Sequence, residues 1–268
     1  MSKEKFLQTF LENGGEFLGT SSFEKECKKT DSLLLVGDFV ENLYKLLKDK
    51  EYKKAFLFHP LFLNPYPKIE HCLYECECEE ALLLLLAHFL VQDKNALDVD
   101  VGYLSSESNL AEEELETILK EFGTGENQYL VVGKDFYNAK DFVALARILA
   151  FISSNSKVKI VFLGMLEATN KPPLKKEKIL CDIEVSSMDG LVVYLQENKE
   201  LQNPLLEASG QFRLVSKMQE GSKYTIKLPK LDKTLEVEFK ENPQIKGMVA
   251  ILWLPKNSEK LCYCKIER

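Results

Sequence analysis

The sequence has no apolar run long enough to cross a bilayer. Its strongest run, residues 81–91, is interrupted by His88, whereas a membrane-spanning helix needs roughly 20 apolar residues. The first residues, Met-Ser-Lys-Glu-Lys-Phe, lack the apolar core and small-residue cleavage site of a signal peptide. We therefore expect a cytoplasmic protein without direct membrane insertion, which reaches a membrane only through partners.

An excess of basic residues is also missing. The chain carries 35 Lys and Arg against 42 Asp and Glu, for a net charge of -7. Non-specific nucleic-acid binding needs a basic face that displaces counterions from phosphates, so we expect no nucleic-acid partner. Low-complexity tracts and internal repeats are absent, and 268 residues with 45% hydrophobic content suit one large domain or two small ones.

The glycine pattern of a dinucleotide site is incomplete. Such a site needs several glycines after a strand so that backbone can approach a pyrophosphate at a helix N-terminus. Gly37 and Gly133 each follow an apolar strand, but each stands alone and is soon followed by an acid, Asp38 or Asp135. An acid there repels phosphate. We interpret both sites as tight strand-to-helix turns, and no Walker-type Gly-Lys-Ser/Thr occurs.

Histidine is scarce, and no catalytic residue can be assigned. His59, His71 and His88 are the three histidines. His88 lies within a leucine-rich helix, as a core histidine would. His59 ends a predicted strand, where α/β sheets often bind ligands, but no Ser, Cys or acid accompanies it in a recognisable motif.

The first part of the chain predicts a doubly wound α/β domain over residues 1–170, which includes a short N-terminal helix. Short apolar strands alternate with helices, which is typical of a mainly parallel sheet buried on both faces. The predicted helices are 3–12, 39–47, 78–91, one beginning after Asn109 with Glu112 completing a capping box, and 139–152. The predicted strands are 32–36, 55–58, 128–132 and 157–163, and residues 99–104 are predicted to be a short strand or an extended stretch.

The sequence pattern changes near Lys171-Pro172-Pro173, from alternating strands and helices to a run of short strands. Beyond it, short apolar runs are punctuated by glycine and Asn-Pro, which predicts a small β-rich domain or extension over residues 178–268. The predicted strands are 180–185, 191–195, 212–215, 224–228, 235–239 and 248–252.

The cysteines fall into two groups that could in principle bind a metal or cluster. One group is Cys72, Cys76 and Cys78, and the other is Cys262 and Cys264. An iron–sulfur cluster needs four converging thiolates, but these spacings match no common ferredoxin pattern and the first group is crowded by glutamates. We predict that the two groups do not converge and that no metal or cofactor is bound. An iron–sulfur electron carrier is the alternative.

Three stretches resemble the large iron–sulfur protein of the bacterial respiratory complex I peripheral arm, in the form found among ε-proteobacteria. They are the glutamate-led leucine helix at 78–85, the Val-Gly-Tyr-Leu-Ser-Ser-Glu-Ser-Asn stretch at 101–109 followed by Glu112-Glu113-Glu114-Leu115, and the Val-Val-Gly-Lys-Asp-Phe-Tyr stretch at 131–137. The likeness spans roughly residues 70–163, with a weaker continuation through Gly210-Gln211-Phe212-Arg213. The cysteine-dense region that carries the clusters of that family has no counterpart here. What remains resembles its molybdopterin-oxidoreductase-like C-terminal part, which generally lacks the cofactor.

The resemblance implies a peripheral-arm subunit of a complex I-type NADH-quinone oxidoreductase, with a scaffold or docking role where electrons enter. Its partners would be other peripheral-arm subunits and a small electron-donor protein, and it would lie on the cytoplasmic side of the inner membrane. As partner-binding residues we predict Phe62 and Tyr66, in the loop at residues 60–67, and Arg213 and Lys217, on a basic strand. A free-standing flavin- or nucleotide-binding oxidoreductase is the other alternative.

Overall fold

A computed structural model describes residues 2–63, 68–91, 97–166, 190–256 and 263–267. These residues form two compact units. The first contains residues 2–59 and 68–166, and the second contains residues 60–63 and 190–267 except for the gap at 257–262. Residues 60–63 therefore belong to the second unit, although they lie within the predicted first domain. The predicted strand at 180–185 lies outside the described residues.

The first unit is built on a six-stranded sheet in which every pairing is parallel. The strand bounds are β1 Phe17–Gly19, β2 Ser32–Val36, β3 Lys54–Phe58, β5 Glu70–Cys72, β6 Gln128–Val132 and β7 Lys159–Phe162. Their order in the sheet is β1-β7-β6-β2-β3-β5. This confirms the predicted α/β class, including the parallel pairing of the strands predicted at 128–132 and 157–163.

Eight helices accompany this sheet within the described part of the first unit. Their bounds are α1 Ser2–Glu12, α2 Thr20–Glu26, α3 Val40–Leu47, α4 Glu79–Leu90, α5 Val101–Ser108, α6 Glu112–Phe122, α7 Lys134–Asn138 and α8 Phe142–Asn155. None of the helices among the described residues is long and apolar enough to span a membrane.

Both faces of the central strands are buried, which explains why they lack apolar–polar alternation. All five residues of β2 are buried. Leu34 and Val36 belong to the larger core, which they share with α1, α4, α6 and α8. On the opposite face, the Phe23 ring of α2 packs edge-on against Tyr129, with centroids 5.2 Å apart. In α4, seven consecutive residues, 81–87, are buried. This burial on all sides agrees with the apolar composition of the helix.

The region before α6 was predicted wrongly. Residues 99–104 were expected to be extended, but residues 101–108 form α5 because the Asp100 side chain accepts a hydrogen bond from Tyr103 N at 2.9 Å and caps the helix. Asn109, expected to cap the next helix, instead ends α5 in the left-handed conformation. α6 begins at Glu112 behind Ala111, which has no side-chain cap.

The second unit contains a six-stranded mixed sheet that closes into a barrel. The strand bounds are β8 Val192–Glu197, β9 Leu205–Ala208, β10 Lys223–Leu228, β11 Lys233–Glu241, β13 Val249–Leu254 and β14 Tyr263–Lys265. Their order is β10-β11-β9-β13-β8-β14. The segment after β14 then reaches β10, where Lys227 and Glu267 exchange backbone hydrogen bonds of 2.7 and 3.0 Å.

Alternate residues of these strands point inward and form the barrel core. Leu195, Leu206, Ile226, Phe239 and Leu252 are among its buried members. A separate two-stranded ribbon joins β4, Phe62–Leu63, to β12, Ile245–Lys246. Closure leaves few unpaired strand edges, which is the usual way in which small sheets avoid edge-to-edge association.

One predicted strand of this unit is a helix. Residues 210–216 form α9, Gly210–Ser216, where a strand was expected at 212–215. Ser209 starts the helix because its hydroxyl oxygen accepts a hydrogen bond from Phe212 N at 3.0 Å. Phe212 turns inward and is fully buried. The basic surface expected on a strand around Arg213 and Lys217 is therefore a short helix and its C-cap.

Candidate functional site

The carboxyl ends of β2 and β6 are where a doubly wound sheet would bind a ligand. β2 connects to β3 on one side and β6 connects to β7 on the other, so the strand order reverses between these neighbours. Ligands of open α/β sheets bind in the crevice at such a switch point. Here Gly37 and Gly133 follow the two strands directly, as predicted for tight strand-to-helix turns.

The two turns at this switch point pack closely against each other. A Cβ added at Gly133 would overlap Asp38 Cβ and the Gly37 carbonyl oxygen, and one added at Gly37 would overlap the Phe136 ring. The turns are joined by hydrogen bonds from Gly133 N to Val36 O, at 2.9 Å, and from Asp135 N to Gly37 O, at 2.8 Å. Gly37 also has φ +67°, which favours glycine. The two glycines therefore allow the turns to pack against each other.

The electrostatics at the switch point oppose an anion. Asp38 and Asp135 are both buried there. Asp38 Oδ1 accepts hydrogen bonds from Phe39 N, at 2.8 Å, and Asn42 Nδ2, at 2.9 Å, so it holds the start of α3. Two neighbouring carboxylates would repel a pyrophosphate, whose usual partners are backbone N–H groups and basic side chains.

Further titratable groups interact with this edge of the sheet. Tyr74, which follows β5, is buried, and burial followed by the charges of Glu79 and Asp135 holds its pKa well above the usual range. Burial also raises the pKa of Glu79, the first residue of α4, to about 7, and the charge of Asp135 adds to this. This edge of the sheet therefore contains a glutamate, Glu79, whose pKa is raised to about 7, and it interacts with the buried Asp135 and Tyr74.

His59 is buried just after the end of β3, and its backbone N donates to Cys72 O at 3.1 Å. The structure thus places it at the carboxyl edge, where its sequence position predicted it. No catalytic role was predicted for it, and that prediction remains untested.

The first cysteine group is buried. Cys72 ends β5, and Cys76 and Cys78 lie in the turn before α4. Burial and nearby glutamates raise the pKa of all three thiols, that of Cys78 to about 12. Cluster and metal ligands are thiolates, so this environment disfavours ligation. Among the described residues, no group of three or more His, Cys, Asp or Glu side chains could hold a metal ion.

The second cysteine group is described only in part. Cys264 is buried in the barrel core of the second unit. Cys262 lies outside the described residues. The predicted separation of the two groups therefore stays a prediction.

The predicted partner-binding residues have different surroundings. Phe62 is half-buried, and Lys246 Nζ lies 5.0 Å from its ring centroid. Tyr66 lies outside the described residues. Arg213 Nε lies 2.7 Å from Glu241 Oε2, whereas Lys217 is exposed at the C-cap of α9 in the left-handed conformation.

Two exposed apolar residues lie between the basic ones and were not predicted as site residues. Leu214 is 69% exposed and Val215 is 57% exposed, both on α9. The prediction of a strand at residues 212–215 concealed them, because alternation would have turned one of the two inward. The Ser209 cap was the signal that could have identified the helix.

No family model matches the chain, and no curated protein gives a significant match.

Proposed function

We propose that this chain is a peripheral-arm subunit of a complex I-type respiratory quinone oxidoreductase. In this proposal it is a scaffold that docks other peripheral-arm subunits and a small electron-donor protein at the electron-input end. It has no dinucleotide site of its own, binds no redox cofactor and associates with the cytoplasmic side of the inner membrane only through its partners. The likeness of residues 70–163 to the large iron–sulfur protein of that arm motivates the assignment.

The close packing of the two turns and the buried acids at the switch point are the observations that support the scaffold role. An α/β sheet that bound a dinucleotide would need open backbone and positive potential at this crevice. Instead, Gly133 packs on Asp38, and two carboxylates are buried there. This geometry disfavours a nucleotide in the sheet crevice. It favours a protein that acts through contacts on its surface.

The surface that best suits docking is the α9 surface, formed by Leu214, Val215 and Lys217. Leu214 and Val215 are adjacent and exposed, and contiguous exposed apolar surface is typical of contact sites. Arg213 contributes through its ion pair with Glu241, which holds its side chain against the barrel. Phe62, with Lys246 stacked on its ring, is the second docking surface in this proposal.

Affinity purification tests the assignment. A tagged full-length chain, recovered from detergent-solubilised membranes of the organism that encodes it, should bring down peripheral-arm subunits of a quinone oxidoreductase. Deletion of its gene should lower quinone-linked respiration. Recovery of no such subunit, together with unchanged respiration, would contradict the proposal.

Surface variants then test whether the α9 surface is the docking site, separately from whether the chain is a peripheral-arm subunit. Leu214→Ser with Val215→Ser should reduce recovery at least about tenfold, because that factor corresponds to about 1.4 kcal/mol, which is within what burial of two apolar side chains contributes. Lys223→Ala is the matched control, since this exposed residue of the same unit forms a surface ion pair with exposed Glu236. Full recovery by the double variant would exclude the α9 surface and leave the overall assignment intact.

Absorbance of the purified chain separates the two alternatives. Flavin would make it yellow and would favour the free-standing oxidoreductase. A brown protein containing iron would favour the electron carrier. The scaffold proposal expects a colourless protein.

A further inference from the structure

Cys76 and Cys78 lie in one tight turn. The turn covers residues 75–78 and is closed by a hydrogen bond from Cys78 N to Glu75 O at 3.2 Å. Glu77, between the two cysteines, has φ +64°. That conformation favours glycine and is uncommon for a glutamate. The backbone of the turn is therefore in a less favourable conformation at the residue between the two cysteines.

The separation of the two cysteines suits a covalent bond. Residues two apart lie within roughly 7 Å of each other even when the chain is extended, and a turn shortens that distance. Disulfides join Cα atoms roughly 4.4–6.8 Å apart. Cys72, by contrast, lies at the end of β5 rather than in this turn.

The turn is docked on the end of α5. Cys78 Sγ donates to Glu107 O at 3.3 Å, and Glu75 N donates to Ser108 O at 2.9 Å. Cys78 is also the N-cap residue of α4. The sulfur of Cys78 therefore links the start of the central helix to the end of its neighbour.

We propose that Cys76 and Cys78 are a dithiol–disulfide pair that can be oxidised by exchange with a small-molecule disulfide. One thiolate attacks the reagent, forming a mixed disulfide and releasing one reagent thiol. The second cysteine attacks the protein sulfur of that mixed disulfide and releases the other thiol. Two protein thiols and one reagent disulfide thus become one protein disulfide and two reagent thiols.

The burial of the turn makes this exchange slow in the folded state. Cys76 and Cys78 are both buried, and burial together with Glu79 and Glu75 raises the pKa of both thiols. Thiolate is the attacking form, so the pair reacts when the turn opens away from α5. Oxidation then removes the S–H donor to Glu107 O and weakens the attachment of α5.

The test treats the full-length chain with oxidised glutathione at pH 8, with and without urea below the unfolding transition. We expect the peptide that contains Cys76 and Cys78 to lose about 2 Da, for the two hydrogens removed, and its fragmentation to place the disulfide between these two cysteines. Backbone amides of α5 should exchange at least about tenfold faster in the oxidised protein, as expected for a locally loosened element.

Single variants distinguish the pair from ordinary thiol reactivity. Cys76→Ser and Cys78→Ser should each stop at a glutathione adduct on the remaining cysteine. Cys72→Ser, the control at a buried cysteine outside the turn, should form the disulfide like the parent chain. The proposal fails if the parent chain stays reduced at these positions under both conditions, carries only glutathione adducts, or joins either cysteine to a different one.

Discussion

At the scale of single residues, the switch point depends on close backbone approach. Gly133 has φ -97°, a value that any residue can adopt. Glycine is therefore required at this position because a side chain would not fit, and not because of the backbone conformation. The overlapping atoms belong to Asp38 and Gly37, and they are backbone and Cβ atoms that cannot rotate away. A methyl group there must separate the two turns.

Gly133→Ala should therefore destabilise the protein by about 2 kcal/mol or more, as overpacking in a rigid site does. Urea unfolding followed by circular dichroism measures the change. Gly102→Ala is the matched control. Gly102 lies in α5 with only Asp100 Oδ1 near an added Cβ, at 3.6 Å, so alanine should stabilise the helix by roughly 0.5–1 kcal/mol. Equal effects of the two substitutions would contradict the close packing of the turns.

Glu79 makes the stability depend on pH. Its pKa is raised to about 7 in the folded protein from an ordinary value of 4.5, first by burial and then by Asp135. The folded state therefore binds the proton more tightly than the unfolded state, and this contribution to stability is lost as pH rises from about 4.5 to 7. Glu80 has its pKa raised to about 7 as well, by burial and Asp141, and adds to the same trend.

Glu79→Gln should remove the contribution of Glu79 to the loss of stability at higher pH. We expect the variant to be more stable than the parent at pH 8, by about 1 kcal/mol or more, and nearly equal to it at pH 4. Melting temperatures across this range measure the difference. Glu113→Gln, at an exposed position in the first turn of α6, is the control and should give no gain at pH 8. A parent-like pH profile for Glu79→Gln would show that Glu79 is not desolvated.

At the scale of elements, capping residues decided which segments became helices. Asp100 caps α5 where a short strand or extended stretch was predicted, and Ser209 caps α9 where a strand was predicted. In each case a side-chain oxygen satisfies an N–H group that a helix start leaves unpaired. The apolar residues of both segments are compatible with either structure, so hydrophobicity alone could not choose between them.

Ser209→Ala should destabilise the second unit by about 1–2 kcal/mol. The substitution removes the acceptor for Phe212 N and also the donor to Gly247 O, which lies 2.6 Å from Ser209 Oγ. Chemical denaturation followed by the fluorescence of Trp253, the single tryptophan of the chain, measures the loss. Ser209→Thr keeps both bonding functions and should recover most of the stability. If alanine and threonine are equally harmful, the cap is not the cause.

At the scale of the whole molecule, closure of the barrel comes from the last described residues. Ile266 is buried in the barrel core, whereas neighbouring Lys265 is exposed. The pairing of Lys227 with Glu267 then joins the two ends of the sheet. This contact links residues far apart in the chain, and such contacts are not encoded in any local pattern.

Ile266→Ala should therefore cost about 2–4 kcal/mol, the usual range for truncating a buried aliphatic side chain. Lys265→Ala should change stability by less than about 0.5 kcal/mol, because its side chain is exposed. Denaturation monitored at Trp253, which lies on β13, compares the two. A small effect of Ile266→Ala would indicate that the barrel folds without its closing segment.

The sequence alone determined the parallel α/β part of this protein. Residues 32–36, 54–58 and 128–132 are mainly apolar and bounded by glycine or polar residues, so composition and punctuation specify buried strands. The same local signals placed Gly37 and Gly133 at strand-to-helix turns. The missing second and third glycines at these turns argued against a dinucleotide site from the sequence itself.

Only the tertiary structure decided how these elements combine. The contact of Gly133 with Asp38, the interaction of Glu79 with Asp135, and the closure of the barrel at Glu267 each join residues far apart in the chain. The short strands β1 and β5 likewise gave no periodic signal, because three residues are too few to show one. Local preferences select helices and strands, whereas burial, desolvation and closure depend on which elements the folded chain brings together.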